Sequence, residues 1–214
     1  MTPYKTIFAP CEAEIIEKKS RFIGSAFPIS NEADALERLK ETRKRYSQAN
    51  HNCYAYRLAG GTIVERYSDD GEPSRTAGMP ILGVISSIGL VNVLVIVTRY
   101  FGGILLGAGG LTRAYSGAAA ATLSKAEIIE KTMFTRLKIL TAYDYYNKIM
   151  IAVEASGCIV ADTVFQDNIE ITSYVAAEKS DAAMSAVTNA SNGRAVVFAE
   201  DTVLAYTRNN KIMI

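Results

Sequence analysis

The chain has 214 residues, 49% of them hydrophobic and 21% charged, which suits one large or two small folded domains and excludes disorder as the default state. Lys plus Arg number 23 against 22 Asp plus Glu, a formal net charge of +1. A dedicated nucleic-acid binder often has a domain pI above ~9, so any phosphate binding here must come from a local patch. The cysteines Cys11, Cys53 and Cys158 are few and far apart, with no Cys-x-x-Cys spacing; this argues for reduced thiols in a cytoplasmic protein, not a disulfide framework or zinc knuckle.

Residues 1–10 contain no apolar signal core, and no stretch reaches the ~18 apolar residues of a membrane span. The most apolar region, 81–106, is broken by Ser86, Ser87, Gly89, Asn92, Arg99 and the pair Gly102-Gly103. It reads as helix, turn, buried strand and loop.

Residues 12–27 can form an extended start, closed by Pro28. Asn31 is placed to cap a helix through about Tyr46, whose acidic first half (Glu32, Asp34, Glu37) and basic end (Arg43, Lys44, Arg45) suit the helix dipole. Residues 53–58 and 63–67 read as two strands joined by Ala59-Gly60-Gly61-Thr62, since paired glycines supply the positive φ of tight hairpins. Ser68-Asp69-Asp70-Gly71-Glu72-Pro73 is a loop by every turn rule. A short helix is expected over 80–90, with proline in its first turn.

Residues 91–97 are almost all aliphatic, the signature of a strand buried on both faces. A glycine-rich loop, 102–110, then leads to an alanine-rich helix over 111–123, with Leu111, Ala114, Tyr115, Ala118 and Ala119 at helical spacing. The pattern restarts near residue 126, which predicts domains of 1–128 and 129–214. The second reads strand, helix, strand, strand, helix, strand, the βαββαβ order of the ferredoxin-like fold. Asp144 and Ser180 are expected to cap its helices at their starts, and Gly157 and Gly193 to end them.

The strongest local feature is Arg99-Tyr100-Phe101-Gly102-Gly103, followed by Gly107, Gly109 and Gly110 at a helix start. Glycines let backbone N–H groups approach an anion closely, and a helix N-terminus adds partial positive charge. Arg99 and Arg113 supply full charge and forked donors, while Tyr100 and Phe101 offer faces for stacking a base. The plain alternative is that the glycines only let the loop turn and the helix pack closely. The Gly-Lys-Ser/Thr ending of a P-loop and the Gly-x-Gly-x-x-Gly fingerprint are both absent, which argues against a standard nucleotide triphosphatase or dinucleotide site.

Asp69, Asp70 and Glu72 form a second cluster. Three acids in one turn suit a hard cation such as Mg²⁺, the one cofactor this pattern allows, although acids in loops are commonly solvated or capping. Arg75 and Thr76 follow, to bind phosphate or to cap the next helix. A third cluster is His51-Asn52-Cys53. Residues two apart on a strand share a face, which permits an activated thiolate, yet no orienting acid is assignable and a buried thiol beside a hydrogen-bonding histidine is the plainer state. His51 is the only histidine, so no multi-histidine metal site exists. No esterase elbow, zincin helix or kinase lysine motif appears, and no catalytic residue is assigned.

Taken together, Lys19-Ser20-Arg21-Phe22-Ile23-Gly24, His51-Asn52-Cys53-Tyr54-Ala55-Tyr56-Arg57, Ser68-Asp69-Asp70-Gly71-Glu72-Pro73, Thr76-Ala77-Gly78, and Val97-Thr98-Arg99-Tyr100-Phe101-Gly102-Gly103 through Gly109-Gly110-Leu111-Thr112-Arg113-Ala114-Tyr115 resemble the signature of the Impact/YigZ family. The match covers about residues 3–125, and the second half resembles the small domain that accompanies it in bacteria. The resemblance implies an α+β protein: a first domain like the second domain of ribosomal protein S5, then a ferredoxin-like domain. That pair, in that order, is similar to domains IV and V of elongation factor G. Eukaryotic Impact proteins act in translational control by binding a scaffold through an added N-terminal domain, so that partner is not carried over. Nucleic-acid binding is the usual suggestion for bacterial members. The chain departs from the family where a lysine is common at Leu105, a basic residue at Met79, and glycine at Arg75.

The resulting expectation is a cytoplasmic, non-membrane regulator that binds RNA, the ribosome or a translation factor through the Arg/Gly-rich loop. The alternatives are an enzyme or binding protein for a small phosphorylated or nucleotide ligand, and a protein-interaction module using the ferredoxin-like sheet.

Overall fold

A computed structural model describes residues 3–209 and 211–214. It is an α+β protein of two compact units, Tyr4–Ile129 and Glu130–Ile214. No helix among the described residues is long and apolar enough to cross a membrane.

The first unit holds strands β1 (Tyr4–Ile7), β2 (Cys11–Glu17), β3 (Ser20–Pro28), β4 (His51–Leu58), β5 (Val64–Ser68) and β6 (Val93–Tyr100), with helices α1 (Glu32–Arg45), α2 (Gly78–Ile88) and α3 (Gly107–Leu123). Five of the strands form an antiparallel sheet in the order β2-β3-β6-β4-β5. β6 sits at its centre because its side chains are apolar on both faces. Val93, Val95 and Val97 pack with α2 and α3 through Ile81, Ile85, Leu111 and Ala118. Leu94 and Ile96 face the other way, against Ala35 and Leu39 of α1. All five side chains are fully buried, and each contributes about 1.5–3 kcal/mol relative to exposure. The small residues along α3 let it lie against β2 and β3. A side-chain carbon on Gly24 of β3 would sit 2.0 Å from Thr122 Oγ1 of α3.

Asn31 caps α1 as expected, its Oδ1 accepting from the Asp34 amide at 2.9 Å. Three other expectations need correction. The extended start is a hairpin, because Lys18 and Lys19 both adopt left-handed backbone (φ 44° and 66°) and reverse the chain. The third helix begins at Gly107 rather than 111, so Gly107, Gly109 and Gly110 belong to its first turn and the loop is only residues 101–106. Asp144 and Ser180 are not caps: each lies inside the first turn of its helix, and no side chain caps either.

The second unit comprises β7 (Ile128–Thr141, starting in the first unit), α4 (Tyr143–Ala155), β8 (Ile159–Phe165), β9 (Ile169–Ala176), α5 (Ser180–Ala190), β10 (Val196–Arg208) and β11 (Lys211–Met213). Its strand order β10-β7-β9-β8, antiparallel throughout, is the ferredoxin-like arrangement. The added hairpin strand β11 extends that sheet. Gly157 and Gly193, both left-handed, end α4 and α5 as expected.

Loop 101–106 is fixed against the β2–β3 turn. The Gly102 amide donates to Ser20 Oγ at 3.1 Å, and a side-chain carbon on Gly102 would lie 2.1 Å from the Lys19 carbonyl carbon. Backbone atoms cannot yield there as a side-chain tip can, so Gly102→Ala should lower unfolding stability by about 1–3 kcal/mol. Gly109→Ala, in helical backbone where an added side-chain carbon would meet only the Arg113 guanidinium at 3.7 Å, an ordinary contact, should be neutral or stabilising by about 0.5–1 kcal/mol. Urea unfolding of both variants checks this; equal losses would contradict the close approach at Gly102.

Candidate functional site

The site grows from the end of the central strand. The β4–β6 register places His51 opposite Arg99, Asn52 opposite Thr98 and Cys53 opposite Val97. Arg99 is thus a charge at the end of a buried, mostly apolar strand, and a buried charge must be paired. Its partner comes from the acidic loop, which folds over this end of the sheet through left-handed backbone at Asp70 and Gly71.

The three acids of that loop do not converge. Asp69 caps α2 from a distance, accepting from the amides of Arg75, Ala77 and Gly78 at 2.8–3.0 Å. Asp70 accepts from the Asn52 amide at 2.6 Å and pairs with Arg43 at 2.7 Å. Only Glu72 enters the interior, where its side chain is 4% exposed. Among the described residues, no group of three or more His, Cys, Asp or Glu side chains is arranged to hold a metal ion.

Glu72 Oε1 takes Nη1 of Arg99 at 2.6 Å and the hydroxyl of Tyr115 at 2.7 Å. Burial, followed by the neighbouring Cys53 and Glu72, drives the Tyr115 hydroxyl far above its ordinary pKa, so it stays protonated and donates. His51 Nδ1 lies 2.8 Å from the Asp70 carbonyl oxygen, and its Nε2 lies 3.9 Å from Glu72 Oε1. Cys53 Sγ donates to the Asp69 carbonyl at 3.0 Å. Burial pushes the Cys53 thiol up to about 12. His51 and Cys53 therefore bond to successive carbonyls of one loop, and the thiol is held in the form that is not nucleophilic.

Above this polar floor opens a cleft of about 430 Å³, lined by Asn50, His51, Glu72, Pro73 and Arg99 on one side and by Phe101, Leu105, Leu106, Gly107, Ala108 and Leu111 on the other. The Phe101 amide is held by Asn50 Oδ1 at 2.8 Å, leaving its ring 46% exposed with the Arg99 guanidinium 5.4 Å from its centre. Leu105 is 84% exposed. Gly103 and Gly107 supply the left-handed turns of this wall. No side chain caps α3, so its first amides keep the partial charge of a free helix start.

The expected site residues thus separate. Arg99, Phe101, Glu72, His51 and Gly107 come together around the cleft. Gly109 and Gly110 sit in the first turn of α3, and Arg113 is exposed one turn on, its Nη1 beside Gly109. Arg113 makes no ion pair among the described residues. Tyr100 points away and carries the Arg21 guanidinium on its ring. Asn52 bonds Thr98, Arg57 bonds Glu65 and the Leu90 carbonyl, and Thr76 bonds the Pro73 carbonyl, all within the fold. Arg75 occupies left-handed backbone (φ 62°), which explains physically why glycine suits that position. Tyr115, Asn50 and the leucine wall are additions that the sequence pattern did not single out. The signal for Tyr115 was its polar tip on a buried helix face, since a buried Tyr hydroxyl usually finds a partner.

Removing one member of a buried ion pair strands the other, at a cost of about 3–5 kcal/mol. Glu72→Gln and Arg99→Met should each lose that much, and the double variant clearly less than their sum. A double-mutant cycle by urea unfolding measures it; losses below about 1 kcal/mol for the singles would contradict a buried pair.

Residues 18–123 match the Impact N-terminal domain family, and residues 141–194 match a domain of unknown function (DUF1949). The chain is 34% identical over 191 residues to the IMPACT family member YvyE of Bacillus subtilis, covering 89% of this chain and 88% of that one. It is 36% identical over 129 residues to the IMPACT family member YigZ of Escherichia coli, covering 59% and 63%. A solved structure, described as the crystal structure of a hypothetical protein, aligns with a TM-score of 0.60 at 27% identity, over 94% of this chain and 98% of that one. The matched segments contain the buried Glu72–Arg99 centre and the loop that walls its cleft, and the chain belongs to the IMPACT family.

Proposed function

We propose that this protein is a cytoplasmic, translation-associated RNA-binding regulator whose first unit engages RNA, free or within the ribosome, at the cleft. The observation that carries this reading is the pairing of two features on the cleft, an exposed aromatic ring at Phe101 and an uncapped helix start at Gly107, with Arg113, an exposed cation that makes no ion pair among the described residues, further along the same helix. An RNA strand needs a stacking face for a base and positive charge for its phosphates, and these parts supply both. Arg75, exposed on the loop that carries Glu72, adds a second cation, and the Lys18–Lys19 turn beside Gly102 adds two more. Arg99 serves differently from the sequence expectation, since its charge is matched by Glu72 and its role is to shape the cleft floor. The near-neutral net charge of the chain suits a local patch of this kind.

A second reading, a free nucleotide or other small phosphorylated ligand, is supported by the cleft volume of about 430 Å³, within the size range of small-molecule pockets. Saturating ligand at about 100 times its dissociation constant would then raise stability by about 2.7 kcal/mol, which a thermal-shift screen detects.

The RNA reading is tested with an Arg75→Ala, Arg113→Ala double variant. Both side chains are exposed and the fold should be unaffected. Binding to ribosomes or structured RNA should weaken, and the slope of log K against log salt should fall by about 1.5, as two phosphate contacts are lost. Unchanged affinity and slope would remove these residues from the interface.

A further inference from the structure

We infer that the cleft selects guanine, presented as an unpaired base, by reading its Watson–Crick edge; this rests on the RNA reading above. The Asp70 carbonyl can only accept, so His51 Nδ1 donates to it, and in the uncharged tautomer that does so Nε2 is the acceptor. Glu72 spends Oε1 on Arg99 and Tyr115, while Oε2 has no donor among the described residues. Arg99 spends Nη1 on Glu72; Nη2 has no acceptor among the described residues, and Nε is buried without one. A buried guanidinium with unused donors is rare in a finished core. It is explained if a ligand completes it.

The floor of the cleft therefore offers two acceptors, His51 and Glu72, followed by a donor, Arg99. Guanine presents the complement along its pairing edge: the amino group and N1–H as donors, O6 as acceptor. Adenine brings one donor and one acceptor, and cytosine one donor and two acceptors. Uracil brings acceptor, donor, acceptor, so its last oxygen would face the His51 lone pair. Each alternative leaves a desolvated polar atom unpaired or opposed, which is the mechanism that makes base readout selective. The Phe101 ring provides the stacking face, and Leu106 and Leu111 complete the apolar lining beside it.

Fluorescence anisotropy on the full chain tests this with labelled oligouridine hexanucleotides carrying one central guanosine, adenosine, cytidine or inosine. The guanosine strand should bind about 5- to 150-fold more tightly than the adenosine and cytidine strands, the discrimination expected of a well-made bidentate contact. Inosine lacks only the 2-amino group and should fall between them. Phe101→Ala, at an exposed position, should weaken every strand while keeping the order. Glu72→Gln, checked for folding by circular dichroism, should abolish the order. Equal affinity for all strands would overturn guanine selection and leave RNA binding standing. Binding to structured RNA with none to the hexanucleotides would overturn the base cleft, and no binding to any RNA would overturn both readings.

Discussion

A charged side chain on the most buried strand of the molecule is the constraint around which the first unit is organised. Arg99 cannot sit there alone, because an ionised group removed from water must be matched. Glu72 matches it, and several other features follow from the need to deliver Glu72. The acidic loop must fold inward, so Asp70 and Gly71 take left-handed backbone. The loop must be held there, so Asp69 ties it to the start of α2 and Asp70 ties it to β4 and α1. Tyr115 must reach from α3 to the same carboxylate oxygen. The two sequence segments with the densest motifs are thus two sides of one buried contact.

That contact also explains why the site has a polar floor beneath an apolar wall. Ion pairs of this kind are poor sources of net stability, since their desolvation cost is comparable to their attraction. A purely apolar core would serve the fold as well. Retaining the pair makes sense if its spare donor and acceptor atoms are used by a ligand. The wall is built from the opposite logic: glycines turn the loop, Gly102 seats it against the β2–β3 turn, and Phe101 and Leu105 are left exposed at the cleft mouth.

Much of this was legible in the sequence, for identifiable reasons. The aliphatic run before Arg99 announced a strand covered on both faces, and α1 on one side with α2 and α3 on the other provide the cover. Asn31 announced its cap because the acceptor is local. The βαββαβ order of the second unit was readable from alternating periodicities. What was not readable depends on long-range geometry. The turn at Lys18-Lys19 contains no glycine, so its left-handed backbone gave no compositional sign. The start of α3 was placed late because glycines suggest loop, yet packing holds them in helix. The acids of the 69–72 loop could have formed one cation site or served as separate capping and surface groups, and they are three separate devices, since sequence proximity does not say which way a carboxylate points. The pairing of Glu72 with Arg99 could have been inferred from the buried arginine alone, which demanded a partner, but not from any spacing.

The most direct test of the central claim, that the buried pair is finished by a bound ligand, is to follow the Arg99 side-chain resonances by ¹⁵N NMR while titrating a guanosine-containing oligoribonucleotide. Bound RNA should shift the Arg99 Nε–H and guanidinium signals strongly, along with the Phe101 ring. If the oligonucleotide binds but leaves those signals in place, the pair is a purely structural feature and the ligand sits elsewhere.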